Sequence, residues 1–196
     1  MASNKRIGLY FGTFNPIHIG HLIIANYIVE FSDLDEVWLV VTPHNPLKKK
    51  TSLLNDIHRL SMVRIAIEDY PKLKDCNVEF DLPQPNYTVN TLAYLEDKHP
   101  ELDFHLIMGA DNLLSFQKWK NYEVILERYA IYVYPRNSKG EIKNKFSDHP
   151  KIININAPRI EISSTFIRKC IKEGKNIRPM LPEAVWNYID EMNFYK

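Results

Sequence analysis

The chain has 196 residues, of which 45% are hydrophobic and 25% charged, with a net charge of +1. That near-neutral balance gives no electrostatic reason to expect nucleic acid or a membrane surface as partner. Met1 to Lys5 lack the apolar core of a signal peptide, and no apolar run approaches the ~20 residues of a membrane span. The two cysteines, Cys76 and Cys170, have neither metal-ligand nor disulfide spacing, so a reducing, cytoplasmic setting is expected.

The elements read in order as follows. Ile7–Phe11 is a short apolar run that stops at Gly12, hence a buried strand. Ile19–Phe31 carries helical spacing, and Glu36–Val41 is a second strand stopped by Pro43. Asn55–Asp69 is helical in pattern, Asn77–Leu82 a strand candidate, and Thr88–Lys98 a helix with Pro100 beyond its end. Phe104–Met108 is a strand, followed by a helical stretch to about Arg128. Ala130–Tyr134 and Ile152–Ile155 are further strands. Ser164–Glu173 and Glu183–Met192 are helices, with Gly174 placed to end the first. Asn137–Pro150 is polar and reads as a surface loop. The length predicts one domain over 1–196, with a helical C-terminal portion from about 159. Alternating strands and helices predict an α/β, Rossmann-like doubly wound sheet, mostly parallel, with ligands outside the carboxyl ends of its strands.

The densest chemistry follows the first strand, in Gly12-Thr13-Phe14-Asn15-Pro16-Ile17-His18-Ile19-Gly20-His21. Gly12 lets a ligand approach the backbone and Pro16 restricts the turn. His18 and His21 are three residues apart at a helix start, so they can face the same way. Backbone N–H groups there favour phosphate, and two imidazoles can donate to phosphoryl oxygens as charge develops. Read alone, they are ordinary histidines beside a turn. Zinc is a weak alternative, because no further ligand is spaced nearby. A second cluster, Ile162-Ser163-Ser164-Thr165-Phe166-Ile167-Arg168, opens a helix. Its hydroxyls, helix N-terminus and guanidinium suit a polyphosphate, although Ser-Ser-Thr is also a good plain helix start.

Together these segments resemble the Gly-x-Phe-x-Pro-x-His-x-Gly-His and Ile-Ser-Ser-Thr-x-Ile-Arg signatures of the nucleotidyltransferase superfamily. The resemblance implies magnesium–ATP as substrate, a Rossmann-like domain and no covalent enzyme intermediate. It implies ATP contacts from Gly12, Thr13, Phe14, His18, His21, Ser163, Ser164, Thr165 and Arg168, with His18 and His21 catalytic and no resident metal. Asn15 stands where bacterial adenylyltransferases usually have Asp.

The middle of the chain bears on the acceptor. Asn86-Tyr87-Thr88-Val89-Asn90-Thr91-Leu92 resembles the Ser-Tyr-Thr-x-Asp-Thr-Leu stretch of bacterial nicotinate mononucleotide adenylyltransferases, and Gly109-Ala110-Asp111 resembles that family's Gly-Ala-Asp. Trp119, between Lys118 and Lys120, matches the family tryptophan that stacks on the pyridine ring. Gly109, Asp111 and Arg136 are implied on the nucleoside side of ATP. Asn15, Lys48, Tyr87, Thr88 and Trp119 are implied on the acceptor side, with Lys48 where the family's loop has histidine. Arg59 and Met62 also fit the family pattern. The implied reaction joins ATP to nicotinate mononucleotide. Rival readings are the same chemistry on nicotinamide mononucleotide or phosphopantetheine, and a nucleotide sensor without catalysis. The oligomeric state is left open, a homo-oligomer included.

Overall fold

The computed structural model describes residues 4–43, 53–136, 145–146 and 148–196. Lys48, the lysine run around it and most of the polar loop from Asn137 lie outside the described residues.

Six strands form one sheet: β1 (Lys5–Gly12), β2 (Glu36–Val41), β3 (Leu73–Cys76), β4 (Leu102–Gly109), β5 (Ile131–Tyr134) and β6 (Ile152–Asn154). Their order is β3-β2-β1-β4-β5-β6, and every pairing is parallel. The helices are α1 (Ile19–Phe31), α2 (Asp56–Ile67), α3 (Thr88–Lys98), α4 (Ala110–Ser115), α5 (Tyr122–Arg128), α6 (Ser164–Lys172) and α7 (Glu183–Glu191). The alternation of strand residues sorts them to two faces. On β4, Phe104, Leu106 and Met108 pack with Leu92 and Leu95 of α3 and Ile125 of α5. Ile107, together with Tyr10, Leu39 and Tyr132, faces the core shared with α1, α2, α6 and α7. A sheet covered on both faces accounts for the nearly continuous apolar strands. Gly174, at φ +66°, ends the α6 segment where a side chain would be strained.

Two expectations are corrected. Asn77–Leu82 is not a strand: Val78–Phe80 forms a single 3₁₀ turn, and the third strand is Leu73–Cys76. That strand pairs only with β2, and as an edge strand it carries an exposed Lys74 and an Asp75 that accepts from Arg64 at 2.9 Å. Charged residues at an edge hide the pattern of a buried strand. The helical stretch after β4 is also interrupted. α4 gives way to a 3₁₀ turn over Phe116–Lys118, then to extended Trp119 and left-handed Asn121, φ 50°.

The sheet order reverses between β1 and β4, the neighbouring central strands. Their carboxyl ends, Gly12 and Gly109, therefore border the crevice in which sheets of this kind bind ligands.

Candidate active site

Two adjoining chambers open at that edge. The larger, of about 430 Å³, holds both signatures: Gly12, Thr13, Phe14, Asn15, His18 and His21 from the first, and Ser163, Ser164, Thr165 and Arg168 from the second. Gly109, Asp111 and Arg136 complete its far side. The smaller, of about 290 Å³, is lined by Tyr87, Thr88 and Trp119, with Glu79, Asn86, Lys118 and Lys120. Phe11, Thr42, Ile107, Met108 and Asn112 line both, so the chambers share a floor. All the expected site residues that are described line one chamber or the other. Asn15, expected on the acceptor side, lines the larger chamber.

The first loop is shaped by packing. Phe14, in a left-handed conformation at φ 43°, lays its buried ring over Gly12. A Cβ on Gly12 would stand 2.7 Å from that ring. Gly20 has the same role for His18: a Cβ there would meet Ile160 at 2.8 Å and His18 Nδ1 at 3.1 Å. The two imidazoles stack, with centroids 3.6 Å apart and planes 23° from parallel.

Their protonation follows from their surroundings. The His18 backbone N–H donates to His21 Nδ1 at 3.2 Å. An accepting Nδ1 places the His21 ring hydrogen on Nε2, which suits donation to a ligand oxygen. His18 is 3% exposed, and its Nδ1 is buried without a protein partner. Burial, and then the positive charge of Arg136, lower its pKa to about 4. At neutral pH His18 is therefore an uncharged donor, which limits the cost of burying it beside a guanidinium.

This has a measurable consequence. An unfolded histidine takes up its proton near pH 6.5, whereas folded His18 resists protonation until about pH 4. The unfolded state therefore binds more protons between these values, and acid favours unfolding there. The expected loss between pH 6.5 and pH 4 is about 3 kcal/mol. Thermal unfolding across that window should show a shallower pH slope in His18→Asn than in the parent protein. Identical slopes would contradict a buried neutral imidazole.

The two signatures are joined to each other. Ser163 caps α6, its hydroxyl oxygen accepting from the Phe166 N–H at 3.2 Å. Ser164 Oγ donates to the Pro16 carbonyl at 2.9 Å, and Arg168 Nη1 donates to the Asn15 carbonyl at 2.8 Å. Arg168 Nη2 reaches Thr165 Oγ1 at 3.4 Å. The Ser164–Pro16 and Arg168–Asn15 bonds clamp the second signature onto the first loop. Arg168 has further N–H groups and Thr165 a hydroxyl at the helix start, where a polyphosphate is favoured.

Other residues of the site have roles that the sequence did not show, among them Arg59, of which only the fit to the family pattern was legible. Arg59 is fully buried, and its guanidinium donates to the carbonyls of Thr13 (2.6 Å), Thr42 (2.9 Å), Leu54 (3.1 Å) and Pro43 (3.3 Å) and to the Asp56 carboxylate. It ties the loop after β1 to the loop after β2. Tyr195, next to the last residue, donates its hydroxyl to Asn15 Oδ1 at 2.7 Å, and the Leu54 N–H donates to the same oxygen at 3.3 Å. Glu79, 2% exposed, accepts from the Thr91 hydroxyl at 2.8 Å, while its backbone carbonyl accepts from the Asn86 amide at 3.1 Å. Burial pushes the Glu79 carboxyl up from its ordinary value. A lone acid between Val78 and Phe80 was the only signal for it.

Among the described residues no three His, Cys, Asp or Glu side chains are grouped to hold a metal ion. Asp111 is, among the described residues, the one carboxylate lining the larger chamber, 3.9 Å from Arg136. These donors fit a magnesium ion carried in on phosphate oxygens and met through water, the usual state of that ion with nucleotides.

The chain is similar to known proteins over most of its length. Residues 9–170 match the cytidylyltransferase-like family. The chain is 67% identical to a probable nicotinate-nucleotide adenylyltransferase of Christiangramia forsetii, over 98% of this chain and 100% of that one. It is 66% identical to that of Flavobacterium psychrophilum, over 97% and 99%. The fold superimposes on Plasmodium falciparum nicotinic acid mononucleotide adenylyltransferase complexed with NaAD with a TM-score of 0.81, at 23% identity and 97% coverage of both chains.

Proposed function

The chain belongs to the cytidylyltransferase-like family, among its nicotinate-nucleotide adenylyltransferases, and on that premise we propose that it transfers the adenylyl group of ATP to nicotinate mononucleotide, giving nicotinate adenine dinucleotide and pyrophosphate. The observation that supports this most is the pair of chambers sharing one floor. One carries the phosphate-binding groups of both signatures, and the other a half-buried tryptophan beside a helix start.

In this reading magnesium–ATP occupies the larger chamber. Arg168, Thr165 and the first N–H groups of α6 hold the β- and γ-phosphates. The Thr13 segment and the two histidines line the α-phosphate. Ser163 and Ser164 fix the helix start, since their side chains are already bonded to protein. Arg136, Gly109 and Asp111 border the nucleoside. Nicotinate mononucleotide enters the smaller chamber, its ring on Trp119 and its carboxylate toward Thr88 at the start of α3.

A 5′-phosphate oxygen of the acceptor attacks the α-phosphorus in line. The new P–O bond forms as the bond to the β-phosphate bridging oxygen breaks, and pyrophosphate leaves with that electron pair. The nucleophile is already anionic, so no side chain has to remove a proton. Catalysis rests on orientation and on donors aimed at the charge that builds on the α-phosphoryl oxygens. His21 Nε2–H is such a donor, and neutral His18 stacked on it holds its ring in place. A magnesium ion entering with ATP would supply neutralisation of phosphate charge. The test is product formation from magnesium–ATP and nicotinate mononucleotide: dinucleotide and pyrophosphate should appear in equal amounts. ATP binding without either product would favour a nucleotide sensor.

A further inference from the structure

Nicotinate and nicotinamide differ by one oxygen against one nitrogen, so a pocket cannot separate their mononucleotides by shape. It must do so by charge or by hydrogen bonding. The smaller chamber has a distinctive charge pattern. Two ammonium groups, Lys118 and Lys120, flank Trp119 on its lining. Lys120 Nζ is seated over the ring of Tyr87, 4.4 Å from its centroid. Such cation–π contact holds a flexible ammonium near one place without neutralising it. Tyr87 is the N-cap residue of α3 and caps it through its backbone carbonyl, which accepts from Asn90 and Thr91. Its ring makes no cap bond and carries the lysine beside the helix start.

The rest of the lining does not cancel this charge. The first turn of α3 has no acidic residue to offset its positive end. Glu79, among the described residues the one acid lining the chamber, is buried, and its carboxyl accepts from the Thr91 hydroxyl. Desolvation further disfavours its charged form. The chamber thus offers positive potential where the acceptor's ring substituent meets the start of α3.

We infer that Lys120, seated on Tyr87, is a specificity-determining residue whose ammonium makes the acceptor chamber prefer a pyridine carboxylate to a carboxamide. This rests on the adenylyl-transfer reading above. The 5′-phosphate is common to both acceptors, so it separates this role from simple phosphate binding.

The experiment measures kcat/KM for nicotinate and nicotinamide mononucleotides at saturating magnesium–ATP, in the parent protein, K120M and K120R. Where the amide turns over too slowly, its inhibition constant against the acid is read instead. K120M keeps the apolar stem and should lower kcat/KM for the acid about fivefold, the upper end for one exposed ion pair. The amide value should stay within about twofold, and K120R should keep the parent's preference. Equal losses for both acceptors would mean that Lys120 meets their shared phosphate, and would overturn the inference. So would unchanged values for both. A parent protein that turns over neither acceptor would overturn the adenylyl-transfer reading itself, and the inference with it.

Discussion

Replacing His21 with alanine lowers kcat by about 10²–10³, the cost of removing one preorganised donor from a developing oxyanion, while KM for ATP changes little. The expectation comes from geometry. His21 Nδ1 is occupied by the His18 N–H, so its ring presents a donor at Nε2. In the proposed reading ground-state ATP has other anchors in Arg168, Thr165 and the start of α6, which line the same chamber. An interaction made mainly in the transition state appears in kcat rather than in KM. The substitution also removes the bond from the His18 N–H, an expected loss of only about 1 kcal/mol of stability. Steady-state kinetics with a parallel melting curve separate the two effects. A His21→Ala protein with parental kcat would show that the imidazole is not used in the chemical step.

Arg59→Ala should have the largest effect on stability, about 3–5 kcal/mol, or a Tm lower by roughly 10 °C in a chain of this size. Arg59 gathers four backbone carbonyls from two loops and the Asp56 carboxylate from the first turn of α2, and it is completely shielded from water. Its removal leaves those acceptors facing an apolar cavity. Lysine is no substitute, because three donors on one nitrogen cannot span the positions that the planar guanidinium reaches. Arg59→Lys should therefore also be destabilised, and both variants should bind ATP poorly because the Thr13 and Thr42 segments lose their tie. A melting temperature within 2 °C of the parent would contradict this account.

The parts legible in the sequence were those in which local pattern and tertiary role coincide. The apolar run ending at Gly12 and the helix from Ile19 to Phe31 were readable because an abrupt end to burial is also an abrupt change of residue type. The two signatures, which line one chamber, stood out in the sequence because helix starts, hydroxyls and paired histidines are local features. What escaped depends on partners distant in the chain. Arg59 fits the family pattern in the sequence, but its role shows only when the carbonyls of Thr13 and Thr42 are brought around it. Tyr195 is 180 residues from the Asn15 that it holds. Val78-Glu79-Phe80 imitates a strand, but the acid at its centre turns inward to Thr91 and the segment becomes a turn. The break at Trp119–Asn121 was invisible because the helix pattern resumes at Tyr122, and that break is what places Trp119 on the smaller chamber.

The most direct measurement is pyrophosphate release from magnesium–ATP with nicotinate mononucleotide, nicotinamide mononucleotide and phosphopantetheine offered in parallel. The account predicts rapid release with nicotinate mononucleotide, much slower release with its amide and none with phosphopantetheine. Release led by phosphopantetheine, or ATP bound with no release from any of the three, would contradict it.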